Sequence, residues 1–152
     1  MYYGNIKKYD IADGEGVRVT LFVSGCTNHC KGCFQKETWD FCYGTKYTSD
    51  TEKEILEALG SDFIQGLTLL GGEPFEPENE LVLVPLCAEI RKKFKGKTIW
   101  IWTGHSYKEI KDTALAQYCD VIVDGPFIQR LASADIKFRG STNQQIIKVK
   151  NI

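Results

Sequence analysis

The sequence lacks the features that mark membrane-bound, secreted and nucleic-acid-binding proteins. None of its apolar runs approaches the roughly 18 residues that a membrane-spanning helix needs. The first ten residues, MYYGNIKKYD, contain no apolar segment of the kind found in a secretory signal peptide. Its 19 lysines and arginines are balanced by 20 acidic residues, for a formal net charge of −1, so nothing favours a general nucleic-acid or membrane surface. We therefore expect a cytoplasmic protein.

Cysteine stands out in this otherwise ordinary composition, with six among 152 residues. In a cytoplasmic chain, clustered cysteines are more often metal ligands than disulfide partners. Cys87 and Cys119 are isolated in the sequence and are expected to pack as small apolar residues. Cys42 lies nearer the other three, so a role for it as an extra ligand or redox partner stays open.

The other three cysteines occupy one short loop, with the spacing Cys26-x3-Cys30-x2-Cys33. Three thiolates are one fewer than the four that usually hold an electron-transfer 4Fe–4S cluster. The missing ligand leaves one iron able to bind another molecule, which favours a catalytic cluster. A zinc site that adds His29 is the alternative. Zinc usually takes ligand pairs from separate segments, so four ligands within eight residues make zinc the weaker interpretation, and His29 is then an exposed loop residue.

Apolar patterning divides most of the remaining chain into alternating strands and helices. Predicted strands are 17–24, 67–70, 98–102, 121–123, 136–138 and 146–149, and predicted helices are 49–59, 85–94 and 106–117. Residues 35–48 show no clear period and are predicted to be loop. Capping-box patterns at 49–52 (Ser-Asp-Thr-Glu) and 106–109 (Ser-Tyr-Lys-Glu) mark two helix starts, and Pro85 suits a first helical turn.

The repeated alternation predicts a single α/β domain over residues 1–152, with a parallel sheet and right-handed crossovers. No linker, repeat or low-complexity segment interrupts it. A complete eight-fold barrel needs about 250 residues, so this chain is too short for one. We therefore expect an open, mostly parallel sheet or a shortened partial (β/α) barrel.

Four predicted strands are each followed by residues that can bind a ligand, and parallel strands bring such residues to one edge of the sheet. The cysteine loop follows the first strand; Gly71, Gly72 and Glu73 follow the second, Thr103 the third and Asp124 the fourth. Glycines allow close backbone approach, Thr103 can bind a carboxylate or amino group, and Asp124 can bind ribose hydroxyls. Taken singly, the Gly-Gly-Glu-Pro and Asp-Gly-Pro strings are ordinary turn signals. Together the four sets suit a zwitterionic, ribose-bearing ligand beside a metal cluster.

The cysteine motif after one strand, with Gly71-Gly72-Glu73-Pro74 after the next, resembles the radical S-adenosylmethionine (SAM) enzymes. Further strings resemble the small activases of glycyl radical enzymes, and most closely the activating proteins of anaerobic (class III) ribonucleoside-triphosphate reductases. These strings are 13–18 (Asp-Gly-Glu-Gly-Val-Arg), 22–26, 100–104, 123–127 and 139–144 (Arg-Gly-Ser-Thr-Asn-Gln). They spread over nearly the whole chain.

This resemblance implies an enzyme that holds a 4Fe–4S cluster on Cys26, Cys30 and Cys33 and binds SAM at its open iron. Reductive cleavage of SAM would give a 5′-deoxyadenosyl radical, which removes a hydrogen atom from a glycine of the large reductase subunit. A flavodoxin-like protein is implied as the electron donor. The cofactors carry the hard chemistry, so no further catalytic side chain is expected.

Carried over residue by residue, the resemblance places Gly71, Gly72 and Glu73 at the methionine amino group of SAM, with Thr103 near its methionyl end and Asp124 at its ribose. Gly32 and Phe34, with Cys33 between them, would approach the adenine. The superfamily pattern has an aromatic residue just before the third cysteine, whereas this sequence has Gly32 there and Phe34 after it. A backbone contact from Gly32 to the adenine is expected instead of an aromatic stack.

Two rival interpretations remain. The target could be another glycyl radical enzyme or a small metabolite in place of the reductase. The chain could also be a non-catalytic zinc or iron–sulfur module, which is the less favoured alternative. A partial barrel would suit a protein target, because it leaves one side open for a peptide loop of a large partner.

Overall fold

The computed structural model describes residues 1–149, which form one seven-stranded sheet and four α-helices. The strands are β1 (Tyr2–Asp10), β2 (Val17–Val23), β3 (Thr45–Lys46), β4 (Ile64–Gly71), β5 (Thr98–Trp102), β6 (Val121–Asp124) and β7 (Gln145–Lys148). The helices are α1 (Ser49–Leu59), α2 (Pro77–Lys93), α3 (Tyr107–Ile110) and α4 (Ala114–Gln117), with 3-10 turns at Lys36–Trp39 and Gln129–Leu131. Positions 150–152 of the predicted domain lie outside the described residues, and its extent as one domain stays a prediction.

The strand order is β3-β1-β2-β4-β5-β6-β7. Neighbours among β2, β4, β5 and β6 run parallel, whereas the outer pairings are antiparallel. The predicted α/β alternation around a parallel sheet is therefore confirmed. The sheet is open, since β3 and β7 end it without pairing to each other.

The N-terminal strand β1 is absent from the sequence-based prediction. Its pairing with β2 shifts register between Tyr3 and Asn5 and again between Lys7 and Asp10. Most of its residues are exposed or half-buried. Register shifts break the alternation of apolar and polar residues, so β1 has no strand period to recognise. The predicted loop 35–48 likewise contains the two-residue strand β3, which pairs with β1.

Of the three predicted helices, α1 has the predicted bounds of 49–59, and the other two differ in the structure. At α1, the backbone N–H of Thr48 donates to the Thr51 hydroxyl, so the capping pair lies one residue before the predicted one. The helix predicted from Pro85 begins at Pro77, and Pro85 lies inside α2 on its exposed side. The single helix predicted over 106–117 is two short helices, because Thr113 caps a new start at α4.

The strand predicted at 136–138 is wrong. Residues 126–144 are mostly irregular, and Phe138 has a left-handed backbone with φ of 60°. A left-handed residue cannot continue a strand. This segment instead covers one face of the sheet, where Phe138 packs against Trp100 and Trp102.

The two faces of the sheet have different partners, because side chains alternate along each strand. On the first face, Val19, Leu21 and Val23 of β2 belong to a large apolar core that includes residues from all four α-helices. The second face carries Arg18, Thr20 and Phe22 from the same strand. The segment 126–144 covers part of this second face, and a cavity lies on the same face.

Arg18 ties the strands together on the second face. Its guanidinium is 1% exposed and donates to the Thr68 hydroxyl, the Leu67 carbonyl and the Glu15 carbonyl at 2.8, 2.9 and 3.1 Å. Two further bonds reach the hydroxyl and carbonyl of Thr98. All five acceptors are uncharged, and burial lowers the pKa of Arg18 to about 10. This side chain therefore fixes β2 against β4 and β5 beneath the cavity.

No helix within residues 1–149 is both long and apolar enough to cross a membrane.

Replacing Arg18 by Met should lower the free energy of unfolding by about 3 kcal/mol, because buried carbonyls and hydroxyls lose their donors. Urea unfolding of the metal-free, reduced protein measures this. Arg130→Met, at an exposed position, should change stability by less than about 0.5 kcal/mol. Equal stability of the two variants would contradict the stabilising role assigned to the Arg18 hydrogen bonds.

Candidate functional site

A cavity of about 550 Å³ lies on the second face of the sheet and reaches the carboxyl ends of its parallel strands. The structure brings most of the predicted site residues to it; those in its lining are Cys26, Cys30, Cys33, Phe34, Gly71, Gly72, Glu73 and Thr103. Gly32 and Asp124 are chain neighbours of lining residues but do not themselves line the cavity. The four predicted sets therefore converge on one edge of the sheet.

The start of the cysteine loop is held by backbone hydrogen bonds from two sides. The N–H groups of Gly25 and Cys26 donate to carbonyls of Thr38 and Trp39 in the first 3-10 turn, at 2.7 and 3.3 Å. On the other side, the N–H of Glu73 donates to the Gly25 carbonyl at 2.8 Å. The loops after β2 and β4 thus form one continuous layer.

Glycine is required where these two loops cross. Gly71 has φ of 111°, a conformation that disfavours other residues. At Gly72, a Cβ atom would stand 2.7 Å from the Gly25 carbonyl oxygen and 2.9 Å from that of Thr38. A side chain at either position would separate the loop after β4 from the cysteine loop.

Glu73 is the central side chain of the site. It is 1% exposed, and its Oε1 accepts from the Asn28 amide and the Gly104 N–H at 2.9 and 2.7 Å. Its Oε2 accepts from the Thr103 hydroxyl and the Phe75 N–H at 2.8 and 3.1 Å. Burial raises the pKa of this carboxyl, and the hydrogen bonds from Gly104, Thr103 and Phe75 oppose that effect. Glu73 therefore joins the loops after β2, β4 and β5 and has no oxygen left without a donor.

Three further residues hold the cysteine loop, and sequence reasoning did not single them out. Glu76 Oε1 accepts from both the N–H and the hydroxyl of Thr27, at 2.9 and 2.7 Å. Asn79 is fully buried and donates its side-chain amide to the carbonyls of Ser24 and Glu73. Asn28 is the third, through Glu73. These are ordinary polar residues in sequence, and only their contacts distinguish them.

The three cysteines of the loop all line the cavity and differ in exposure. Cys26 is 9% exposed, and burial raises the pKa of its thiol. Cys30 and Cys33 are half-buried, and the Gln35 N–H donates to the Cys33 sulfur at 3.4 Å. Within residues 1–149, no three His, Cys, Asp or Glu side chains gather around one point as a single ion requires.

Thr103 and Asp124 are already engaged with the protein. The Thr103 hydroxyl donates to Glu73 and accepts from the His105 N–H at 3.1 Å. Asp124 uses one oxygen for the Tyr107 N–H at 2.7 Å and the other for the Gln145 N–H at 3.3 Å. Both side chains are nearly buried. These contacts fix the loops after β5 and β6, and direct contacts of the two side chains with a ligand stay predictions.

The structure explains why glycine precedes the third cysteine. Gly32 has φ of 77°, and a Cβ there would stand 2.7 Å from the Gln129 side chain. The loop therefore passes close to the exposed Gln129 side chain, and the positive φ at Gly32 disfavours any residue with a side chain. Phe34 supplies the aromatic ring instead: it is 74% exposed, lines the cavity and lies 5.0 Å from the Phe127 ring.

Aromatic and acidic residues outside the predicted set also border the cavity. Trp39 lines it and stacks on His29 with ring centroids 4.3 Å apart; His29 is exposed, as predicted. Asp13 lines the cavity beside Lys7. Burial and the neighbouring Asp10 raise the pKa of Asp13 from 3.8 to about 7. Burial also disfavours ionised Asp10, but hydrogen bonds, including one from Asp13, lower its pKa below the ordinary value.

Comparison with known proteins identifies relatives along nearly the whole chain. The family described as a 4Fe-4S single cluster domain matches residues 12–147. The anaerobic ribonucleoside-triphosphate reductase-activating protein of Pasteurella multocida is 43% identical, over 97% of this chain and 98% of that protein. Proteins of the same name are 39% identical in Enterobacteria phage T4, over 96% of this chain and 93% of that protein, and 40% identical in Escherichia coli K12, over 96% and 97%.

Replacing Glu73 by Gln should lower the free energy of unfolding by about 2 kcal/mol, because the amide nitrogen would face donors that now bind a carboxylate oxygen. Glu76→Gln is the matched control: it keeps the oxygen that Thr27 needs and should cost less than about 1 kcal/mol. Urea unfolding measures both. The amount of iron retained after anaerobic reconstitution should fall for Glu73→Gln only. A larger loss of stability or of iron in Glu76→Gln than in Glu73→Gln would contradict the central role assigned to Glu73.

Asp13 should make the stability of the fold depend on pH. Its folded-state pKa of about 7 lies above 3.8, so its protonation stabilises the fold fully below pH 3.8, and this contribution is lost as the pH rises through about 7. Asp13→Asn, which keeps a hydrogen-bond donor for Asp10, should exceed the wild type in stability by about 1 kcal/mol at pH 8 and by less at pH 5.5, after discounting solvent screening. Urea unfolding at both pH values checks this. Asp62→Asn, at an exposed position, should show no such difference between the two pH values. If the stability difference between Asp13→Asn and the wild type is the same at both pH values, the raised pKa of Asp13 is refuted.

Proposed function

The chain belongs to the family of anaerobic ribonucleoside-triphosphate reductase-activating proteins, and from this premise we propose that it activates such a reductase by forming a glycyl radical on it. The reaction is the reductive cleavage of SAM at a 4Fe–4S cluster. When bound, the cluster supplies the electron that breaks a carbon–sulfur bond of SAM, which leaves methionine and a 5′-deoxyadenosyl radical that takes a hydrogen atom from the glycine. The observation that carries the proposal is the convergence of the three cysteines and Gly71–Glu73 on one cavity, in a chain with 39–43% identity to these relatives.

In this reaction the protein would hold the cluster and orient SAM. Cys26, Cys30 and Cys33 are the ligands available to three irons of the cluster, and the fourth iron stays open for SAM. The loop that carries them is fixed by Glu73 and Glu76 rather than by the metal alone. A site fixed before its ligands arrive loses less entropy when they bind.

Gly71 and Gly72 would present backbone groups to the methionine part of SAM, because both line the cavity and carry no side chain. Glu73 would act mainly by positioning, since donors from the protein already occupy both of its oxygens. Phe34, which the resemblance places at the adenine, lines the cavity together with Phe127, and the two rings are in contact. The sequence expectation of a backbone contact from Gly32 belongs to the same proposal.

The open sheet also suits a protein as the hydrogen-atom donor. A closed barrel would enclose its substrate, whereas here the cavity is bounded on one side by the irregular segment 126–144. An open sheet would let a glycine-bearing segment of the reductase reach the radical. The electron would come from a flavodoxin-like donor, in the cytoplasm.

The test is anaerobic reconstitution with iron and sulfide, followed by reduction and addition of SAM and the anaerobic reductase. Electron paramagnetic resonance should then show the doublet of a glycyl radical. Cys26→Ala, Cys30→Ala and Cys33→Ala should each reduce this signal at least 100-fold, because the remaining two thiolates cannot hold the cluster (about 3 kcal/mol or more in effect).

Cys42→Ser and Cys87→Ala serve as controls, because neither residue lines the cavity. Both should keep the signal within twofold of the wild type. Loss of the signal in Cys42→Ser, with normal folding, would instead show that Cys42 is a ligand or redox partner. One zinc per chain with no visible absorption would remove the enzyme proposal.

A further inference from the structure

Arg139 lines the cavity, and the residue before it has a strained backbone. The preceding residue, Phe138, has φ of 60°, which is unfavourable for a residue with a side chain. Its ring packs edge-on against Trp100 with centroids 5.5 Å apart, and its carbonyl accepts from Trp102 Nε1 at 2.9 Å. Strain that the surroundings enforce in this way often marks a functional position.

The residues that follow Arg139 are fixed as well. The N–H groups of Gly140 and Ser141 both donate to Gln144 Oε1, at 2.8 and 3.2 Å. The amide nitrogen of Gln144 donates to the Gly125 carbonyl at 3.0 Å, at the end of β6. Arg139 is therefore anchored on both sides, and its guanidinium is presented by a rigid turn.

The guanidinium itself has few partners. Its two hydrogen bonds run to the carbonyls of Lys137 and Gln144, and both are long, at 3.4 Å. Within the described residues 1–149 it forms no ion pair. An arginine has five N–H donors, so these two bonds use only part of its hydrogen-bonding capacity. Since Arg139 lines the cavity, acceptor oxygens of a bound molecule are the natural partners.

In the proposed function, the anionic group of SAM already has a partner. Its only anionic group is the carboxylate of its methionine part, which the proposed function places at the open iron beside the cysteine loop. The sulfonium, ribose and adenine carry no negative charge. The second molecule that the proposed function brings to the cavity is the glycine-bearing segment of the reductase, whose backbone carbonyls and carboxylates are acceptors that an arginine binds.

We infer that Arg139 binds acceptor oxygens, backbone carbonyl or carboxylate, of the glycine-bearing segment of the reductase. This inference rests on the proposed function and names the wall on which that segment lies. Trp102, Ile136 and Phe138 form an apolar surface beside Arg139 in the same cavity. They offer packing for the side chains of the segment, while the forked guanidinium fixes its backbone direction and so the position of the glycine.

The test compares Arg139→Ala, Arg139→Lys and Arg130→Ala in the reconstituted protein. For Arg139→Ala, the concentration of reductase that gives half-maximal glycyl radical formation should rise at least tenfold. The affinity for SAM, measured with the cluster-loaded protein alone, should stay within twofold. Arg139→Lys should recover part of the loss, because it keeps the charge but not the fork. Arg130 is exposed and outside the cavity, so Arg130→Ala should behave as the wild type.

The outcomes separate this inference from the proposed function. If the wild-type protein forms no glycyl radical, the proposed function fails. If it does and Arg139→Ala has the same dependence on reductase concentration, the inference is wrong. A tenfold loss of SAM affinity in Arg139→Ala would also overturn it, because Arg139 would then belong to the SAM site. Retained SAM affinity reports that the variant is folded.

Discussion

One buried carboxylate, that of Glu73, holds the site together. Ionised carboxylates accept strong hydrogen bonds, and removal of such a group from water is costly unless donors surround it. Four donors from Asn28, Thr103, Gly104 and Phe75 meet that need. These donors come from the loops after three different strands. Burial of the Glu73 carboxylate therefore requires the three loops to keep fixed positions at this edge of the sheet. The cysteine loop, which has little regular structure of its own, is positioned by this constraint.

A second buried charge supports the opposite end of the same strands. Arg18 joins β2, β4 and β5 through uncharged acceptors near their amino ends. The second face of the sheet therefore has a network of side-chain hydrogen bonds at each end, and aromatic residues lie between the two networks. This arrangement keeps the strands in register while leaving space above them, which an apolar face packed by helices would not do. The cavity occupies that space.

The reliable part of the sequence reasoning was the parallel core. Its strands are short apolar runs bounded by turn residues, and β5 was predicted with its observed limits of 98–102. The failures have specific causes. Register shifts hide the strand β1, the exposed Pro85 is tolerated inside a helix, and Thr113 divides one predicted helix into two. The positive φ of Phe138 turns a strand-like sequence into a bend. The pairing of β1 and the turn at Phe138 depend on residues that are distant in sequence, whereas Thr113 acts through a local cap.

The sequence by itself determined the order of the parallel strands and helices, the spacing of Cys26, Cys30 and Cys33, and the glycines that follow β4, because local patterning and turn chemistry specify them. Tertiary structure alone decided which polar side chains are available to a ligand. Glu73, Thr103 and Asp124 look like binding groups in sequence, yet in the fold their oxygens bind protein donors. Arg139, in contrast, gains its place in the cavity from a turn fixed by distant residues. Hydrogen-bond satisfaction is a property of the three-dimensional neighbourhood, and no pattern along the chain encodes it.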